Sequence, residues 1–235
     1  MPFLTRYSDD TSTPSVGEAL RDIGLRAIAP AIVLWAAIVG IGELIRGPLG
    51  GLNSENAVSR DVQKTRTPTW DEVTAVWSHI GNTEIVIGVC VVAVAFLWWR
   101  TRQWWVAVTP AIAIALQATV FVIATAIVGR PQPTVPHLDP APPTSSYPSG
   151  HVGASTALYV TFALLAQRIE TPWLRRLLTT LFLLVPVLVA YARLYRGMHH
   201  LTDILVGAAN GLACALLAWA YLRRKSASLV RPTSG

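Results

Sequence analysis

The side chains with chemistry to offer in this sequence gather at a few places. Arg130-Pro131 closes one apolar run, and Tyr147-Pro148-Ser149-Gly150-His151 opens the next. Arg193 lies at the end of a third, and His199 and Asp203 open a fourth. The two arginines carry planar forks of N–H donors that match phosphate oxygens. A Pro148-Ser149-Gly150 turn at a helix start presents free backbone N–H groups and the positive end of the helix dipole, which together make an anion site. Gly150 would let an anion approach the backbone closely. His199 and Asp203 are four residues apart and so share one helical face. A carboxylate there can hold one imidazole nitrogen and leave the other free as a nucleophile. His151 supplies a separate acid–base group. Any one of these residues alone is more often an interfacial anchor, a cap or a packed histidine. Their joint placement is what argues for a site.

The surrounding chain says what must position them. Of 235 residues, 52% are hydrophobic and only 14% charged, against a typical charged share of about 25%. That balance excludes disorder, collagen and coiled coil. The two cysteines, Cys90 and Cys214, sit inside apolar runs with no CxxC pattern, which excludes a disulfide scaffold and a structural zinc site. Apolar runs fall at 28–45, 84–99, 104–129, 151–167, 177–195 and 201–222. A spanning helix needs about 20 apolar residues. The expected architecture is therefore all-α: a six-transmembrane-helix bundle over residues 28–222, between a cytoplasmic N-terminal segment, 1–27, and a basic cytoplasmic tail, 223–235.

Charge sets the expected orientation. The net charge of +6 comes from 17 Arg and 2 Lys that lie between the apolar runs, which is a membrane pattern and not a nucleic-acid one. With the N-terminus inside, twelve basic residues fall on the cytoplasmic side and seven outside, or four once Arg130, Arg193 and Arg196 are set aside. Both termini are then cytoplasmic, and the chemistry-bearing positions converge at the extracytoplasmic end of helices 3–6. The first run follows a polar segment with Asp9, Asp10, Glu18 and Asp22, so it reads as a retained helix and not a signal peptide. Trp98, Trp99, Trp104 and Trp105 suit an aromatic belt. In the extracytoplasmic segment 46–83, Thr69 and Glu72 read as a capping box. Val73, Val76, Trp77 and Ile80 line one face of an amphipathic helix, either lying on the membrane or extending the second span. Gly207 and Gly211 form a G-x-x-x-G, expected to pack within the bundle, with the oligomeric state left open. The Arg-over-Lys excess, with abundant Ala and Val, points to a GC-rich bacterial source.

At these residues the chain resembles the type 2 phosphatidic acid phosphatase (PAP2) superfamily, integral-membrane lipid phosphatases related to vanadium haloperoxidases. The family's motifs are K-x6-R-P, P-S-G-H and S-R-x5-H-x3-D. The second stands intact at Pro148-Ser149-Gly150-His151; the third reads Ala192-Arg193, then His199 and Asp203; the first keeps Arg130-Pro131. Two positions depart, Ile123 for the Lys and Ala192 for the Ser. The lost Lys removes one phosphate-binding cation. The resemblance implies hydrolysis of a lipid phosphate or diphosphate monoester through a phosphohistidine. In that scheme His199 is the nucleophile, His151 the acid–base and Asp203 the group that orients His199. Arg130, Ser149, Gly150 and Arg193 would bind the phosphate. No metal or other cofactor is implied. The partner is the bilayer and its lipid phosphate, with isoprenyl diphosphate or phosphatidate the first candidates, entering sideways from the outer leaflet of the plasma membrane. A lipid phosphotransferase using the same histidine and a catalytically inactive lipid-phosphate-binding relative are the alternatives.

Overall fold

The structure, a computed structural model, describes residues 15–140 and 145–221. Among the described residues every regular element is a helix. The expected tail, 223–235, lies outside them.

The first helix begins well before position 28. Ser15 and Glu18 form a reciprocal capping box that opens α1 (Val16–Ile23). The chain then continues through a π-helical turn, Gly24–Ile28, into α2 (Ala29–Arg46). An Asp22–Arg26 pair at 3.7 Å, spaced i,i+4, supports the polar face of this extension.

Two α-helices, preceded by a short 3-10 turn at Gly50–Leu52, occupy the 46–83 segment. The first, α3 (Glu55–Gln63), carried no strong sequence signal. The second, α4 (Pro68–Ile80), is capped by Thr67, whose side chain accepts the Trp70 N–H. The N-cap thus falls two residues before the expected Thr69, and the reciprocal box expected with Glu72 does not form, since the residue three beyond Thr67 is Trp70. Pro68 explains the shift, because a proline lacks an N–H and its fixed φ suits the first helical position. A Gly81-Asn82 turn separates α4 from α5 (Thr83–Thr101), so α4 is no extension of that span. It packs instead on α9, where Trp70, Trp77 and Tyr191 meet edge to face at 5.8–6.4 Å.

The remaining elements are α6 (Trp104–Ala107), α7 (Thr109–Val128), α8 (Gly150–Ala166), α9 (Pro172–Tyr195) and α10 (Leu201–Tyr221). Five stretches are long and apolar enough to cross a membrane: Val16–Arg46, Thr83–Thr101, Trp104–Val128, Pro172–Tyr195 and Leu201–Tyr221. The exception is α8, with 17 residues. It is sheathed by α7, α9 and α10, which is why it tolerates polar residues that a lipid-facing helix would avoid. Its buried Ser155 and Thr161 hydroxyls donate to the carbonyls of His151 and Ala157 at 2.8 and 2.7 Å.

Small residues bring α8 and α10 together. A Cβ on Gly207 would meet the Ser149 carbonyl oxygen at 2.5 Å, and one on Gly211 would run into the Gly153 carbonyl and Thr156. The G-x-x-x-G therefore packs inside this chain. Trp98 and Trp99 project outward at one end of the bundle, while Trp105 is buried.

Candidate active site

The end of α7, the start of α8, the end of α9 and the start of α10 meet at one end of the bundle. The Ser149 N–H donates to the Asp203 carbonyl at 2.9 Å, and the Ser146 N–H to the Arg130 carbonyl at 2.8 Å. The Tyr147 hydroxyl reaches the Ile38 carbonyl of α2 at 2.7 Å, which locks the segment before α8 in place. A cavity of about 630 Å³ opens at this end, and His151, Arg193 and His199 line it together with Pro148 and Gly150.

His199 sits in the α9–α10 turn and is buried. Its Nδ1 lies 2.7 Å from the Ser146 carbonyl oxygen. A carbonyl only accepts, so Nδ1 carries the proton and Nε2 keeps a free lone pair. Burial first, and then the Arg193 charge, pushes the imidazole down to about 4. His199 is therefore neutral near pH 7, as a nucleophile requires.

Asp203, fully buried, makes its bonds elsewhere. One oxygen accepts from Arg130 Nη1 at 2.6 Å, and the other from the His200 backbone N–H at 2.9 Å and its ring Nδ1 at 3.1 Å. The task expected of Asp203, holding the His199 N–H, belongs here to the Ser146 carbonyl.

Arg130 is also buried. Nη1 donates to Thr202 as well as Asp203, and Nη2 donates to the Gly51 carbonyl at 2.7 Å and to Glu55 at 2.8 Å. Glu55 further accepts the Thr202 N–H at 2.9 Å, so a residue of α3 caps α10 from outside. Only Arg130 Nε is left without a partner.

Arg193 donates from Nη1 to Ser78 at 3.0 Å and to Asp139 at 3.1 Å. Its Nε is buried and unpartnered, as is the Ser149 hydroxyl. Ser149 is the N-cap of α8 but makes no capping bond with its side chain. Three groups expected to bind phosphate thus each hold an unpaired buried polar atom, which is unusual for a protein interior; of the three, Arg193 lines the cavity and Arg130 and Ser149 do not. Gly150 opens α8, and the Phe121 ring fills the direction its Cβ would take, 2.8 Å away.

His151 completes the group, with Nε2 2.9 Å from Asn82 Oδ1. Arg196 forms a two-pronged pair with Asp139, at 2.9 Å from Nε and 2.6 Å from Nη2. Burial alone would raise the Asp139 carboxyl, but Arg196 and then Arg193 outweigh it and hold the carboxyl below its ordinary range. Ser146, Asn82, Glu55, Ser78 and Asp139 carried no spacing signal in the sequence. Each acts across a large sequence separation, and of the five only Asn82, beside Gly81, stands at a turn that the sequence marks.

Ile123, where the family pattern has Lys, lines a different recess of about 600 Å³, with Ile23, Ile28 and Trp35.

Among the described residues the chain is all-helical with several membrane-length helices, and two histidines and an arginine line one cavity at an end of the bundle. A sequence model described as the PAP2 superfamily matches residues 105–227, and the chain belongs to that superfamily. Among solved structures it is similar to the transmembrane PAP2-type phosphatidylglycerolphosphate phosphatase of Bacillus subtilis. The TM-score is 0.68 at 19% identity, covering 87% of this chain and 95% of that one. It is also similar to Aquifex aeolicus LpxE, with a TM-score of 0.55 at 21% identity, covering 69% of this chain and 93% of the other. A search of curated protein sequences returns no match.

Proposed function

We propose that this protein is a membrane lipid phosphatase that cleaves a lipid phosphate or diphosphate monoester through a phosphohistidine on His199. One observation carries the reading: the Ser146 carbonyl accepts a hydrogen bond from His199 Nδ1–H and so leaves the Nε2 lone pair free, beside His151 and Arg193 at one cavity. The Nε2 lone pair attacks phosphorus as the P–O bond to the lipid breaks, and His151 gives a proton to the leaving oxygen. His151 then takes a proton from water, whose oxygen attacks phosphorus as the P–N bond breaks, and phosphate leaves. Arg193 and the Gly150 N–H, which line the cavity, stabilise the five-coordinate state, with Ser149 next to Gly150 at the same helix start; Arg130, whose Nη atoms hold Asp203, Thr202, Gly51 and Glu55, sets the start of α10 beside them.

The walls of the cavity support a lipid substrate. Val86 and Ile87 of α5, and Ile114, Ala118, Phe121 and Val122 of α7, continue it downward as an apolar surface. An acyl or isoprenyl tail fits that lining, entering sideways between helices. The charge distribution supports six spans, with α8 as the sheathed fourth, both termini cytoplasmic and the site at the outer face of the cell membrane.

The test is phosphate release in detergent, with EDTA present, from isoprenyl diphosphate, phosphatidate and phosphatidylglycerol phosphate, beside His199→Ala. Release by the native chain alone is the expected result. Equal release by folded His199→Ala would remove the nucleophile, and activity restricted to soluble phosphates would remove the lipid.

A further inference from the structure

Asn82 is an N-cap whose side chain does not cap. Asn is among the residues most favoured at that position because its carboxamide oxygen can take a first-turn N–H. Here no such bond is made at the start of α5. The oxygen faces His151 Nε2 at 2.9 Å, and the amide nitrogen lies 3.0 Å from Nδ1 of exposed His79. With its oxygen toward His151 the carboxamide serves that ring both neutral and protonated, since an oxygen accepts from Nε2–H in either state, whereas the amide nitrogen, which only donates, could serve the neutral ring alone.

Gly81 brings this turn against the histidine. A Cβ at Gly81 would lie 3.1 Å from the His151 Cβ, 3.2 Å from its carbonyl oxygen and 2.9 Å from Val189. The turn is thus a seat, in which a missing side chain permits contact and the next residue supplies a hydrogen bond. It lies upstream of residues 105–227, the part matched by the family model.

We propose that Asn82 is the positioning residue for His151 and commits it to proton transfer through Nδ1. With Oδ1 accepting, the neutral ring carries its proton on Nε2, and Nδ1 is the basic atom. Protonated, the ring keeps the Asn82 bond and gives the Nδ1 proton to the leaving oxygen. Receiving a proton from water returns it to the same state. The ring never needs to turn over between the two half-reactions. This rests on the phosphatase reading for its chemistry, but the tautomer itself does not.

The experiment therefore has two arms. In the first, histidine-15N NMR in detergent, assigned with His151→Gln, reads which His151 nitrogen is protonated. The expected result is an Nε2–H tautomer in the native chain that is lost in Asn82→Ala. An Nδ1–H tautomer in the native chain overturns the inference, whatever the activity. In the second, Asn82→Ala is expected to lower kcat at least about tenfold, and by less than the roughly 10²–10⁴-fold that general acid–base catalysis supplies as a whole, at little change in KM. Asn82→Asp keeps an acceptor and adds charge, so it restores part of kcat and moves the alkaline fall of kcat to higher pH. His199, Arg193, Asp139 and His79 also face this region and are common to both variants. A native kcat in Asn82→Ala, or an unmoved alkaline limb in Asn82→Asp, overturns the inference; the second variant serves where the first does not fold. A native chain that releases no phosphate while showing the Nε2–H tautomer removes the phosphatase reading and leaves the seat in place.

Discussion

Asp203 closes on Arg130, Oδ1 to Nη1 at 2.6 Å, while His199 one turn earlier gives its Nδ1–H to the Ser146 carbonyl. The Asp203 carboxylate and the proposed nucleophile, His199, therefore belong to different hydrogen-bond networks. Asp203→Asn is expected to act mainly through Arg130 and the start of α10. Breaking a buried pair of this kind costs about 3–5 kcal/mol, so the thermal midpoint in detergent should fall and KM rise. A large loss of kcat at an unchanged midpoint would instead tie Asp203 to His199.

The pH profile follows from the buried imidazole. His199 is held at about 4 by burial and by Arg193, so it stays neutral and nucleophilic down to that region. The acid limb of kcat/KM, which reports the free enzyme, should fall near pH 4. A limb centred near the ordinary value of about 6.5 would show a solvated histidine. The same depression makes acid destabilising. Between about pH 6.5 and 4 the unfolded chain binds a proton that folded His199 refuses, so stability declines as pH falls through that window.

The helical class, the location of most spans and the convergence of Arg130, His151, Arg193 and His199 at one end of the bundle were legible in the sequence, because periodicity and motif spacing are local signals. What His199 donates to was not. The Ser146 carbonyl is a backbone atom 53 residues away, and any residue type can supply one. Glu55 is 75 residues from Arg130 on a short polar helix that periodicity could not single out. The start of α1 was missed for the opposite reason: hydrophobicity set the boundary at 28, while the Ser15–Glu18 box that opens the helix is polar.

Restoring the family's lysine should not help. Ile123 faces the apolar recess beside Ile23, Ile28 and Trp35, away from His199. Ile123→Lys is expected to leave kcat/KM for a lipid phosphate no better than native. A lysine costs about 2.5–3.5 kcal/mol at the centre of a membrane helix on insertion scales and less at position 123, five residues from the end of α7, so yield or thermal midpoint should drop modestly. A lower KM in this variant would mean that α7 presents position 123 to the site.

Asp139 is a built-in anion on Arg193, with its Oδ2 3.1 Å from Nη1. Its carboxyl is held ionised by Arg196 and Arg193 against the effect of burial. Asp139→Asn is expected to raise the positive potential of the cavity and tighten inhibition by inorganic phosphate. Weaker inhibition would show that Asp139 serves chiefly to hold Arg193 in place.

The α8–α10 contact gives the sharpest stability prediction. Gly211 meets the Gly153 carbonyl and Thr156, and the same contact carries the Ser149 N–H to the Asp203 carbonyl at 2.9 Å. Gly211→Ala puts a methyl group into backbone, which cannot yield as a flexible side chain would. Overpacking costs about 1–3 kcal/mol, and the strain runs directly into the turn that holds Ser149. The thermal midpoint and kcat should therefore fall together, with the mass of the detergent-solubilised particle unchanged by light scattering. A variant that keeps its midpoint but changes its mass would place Gly207 and Gly211 between two copies of the chain instead of inside one.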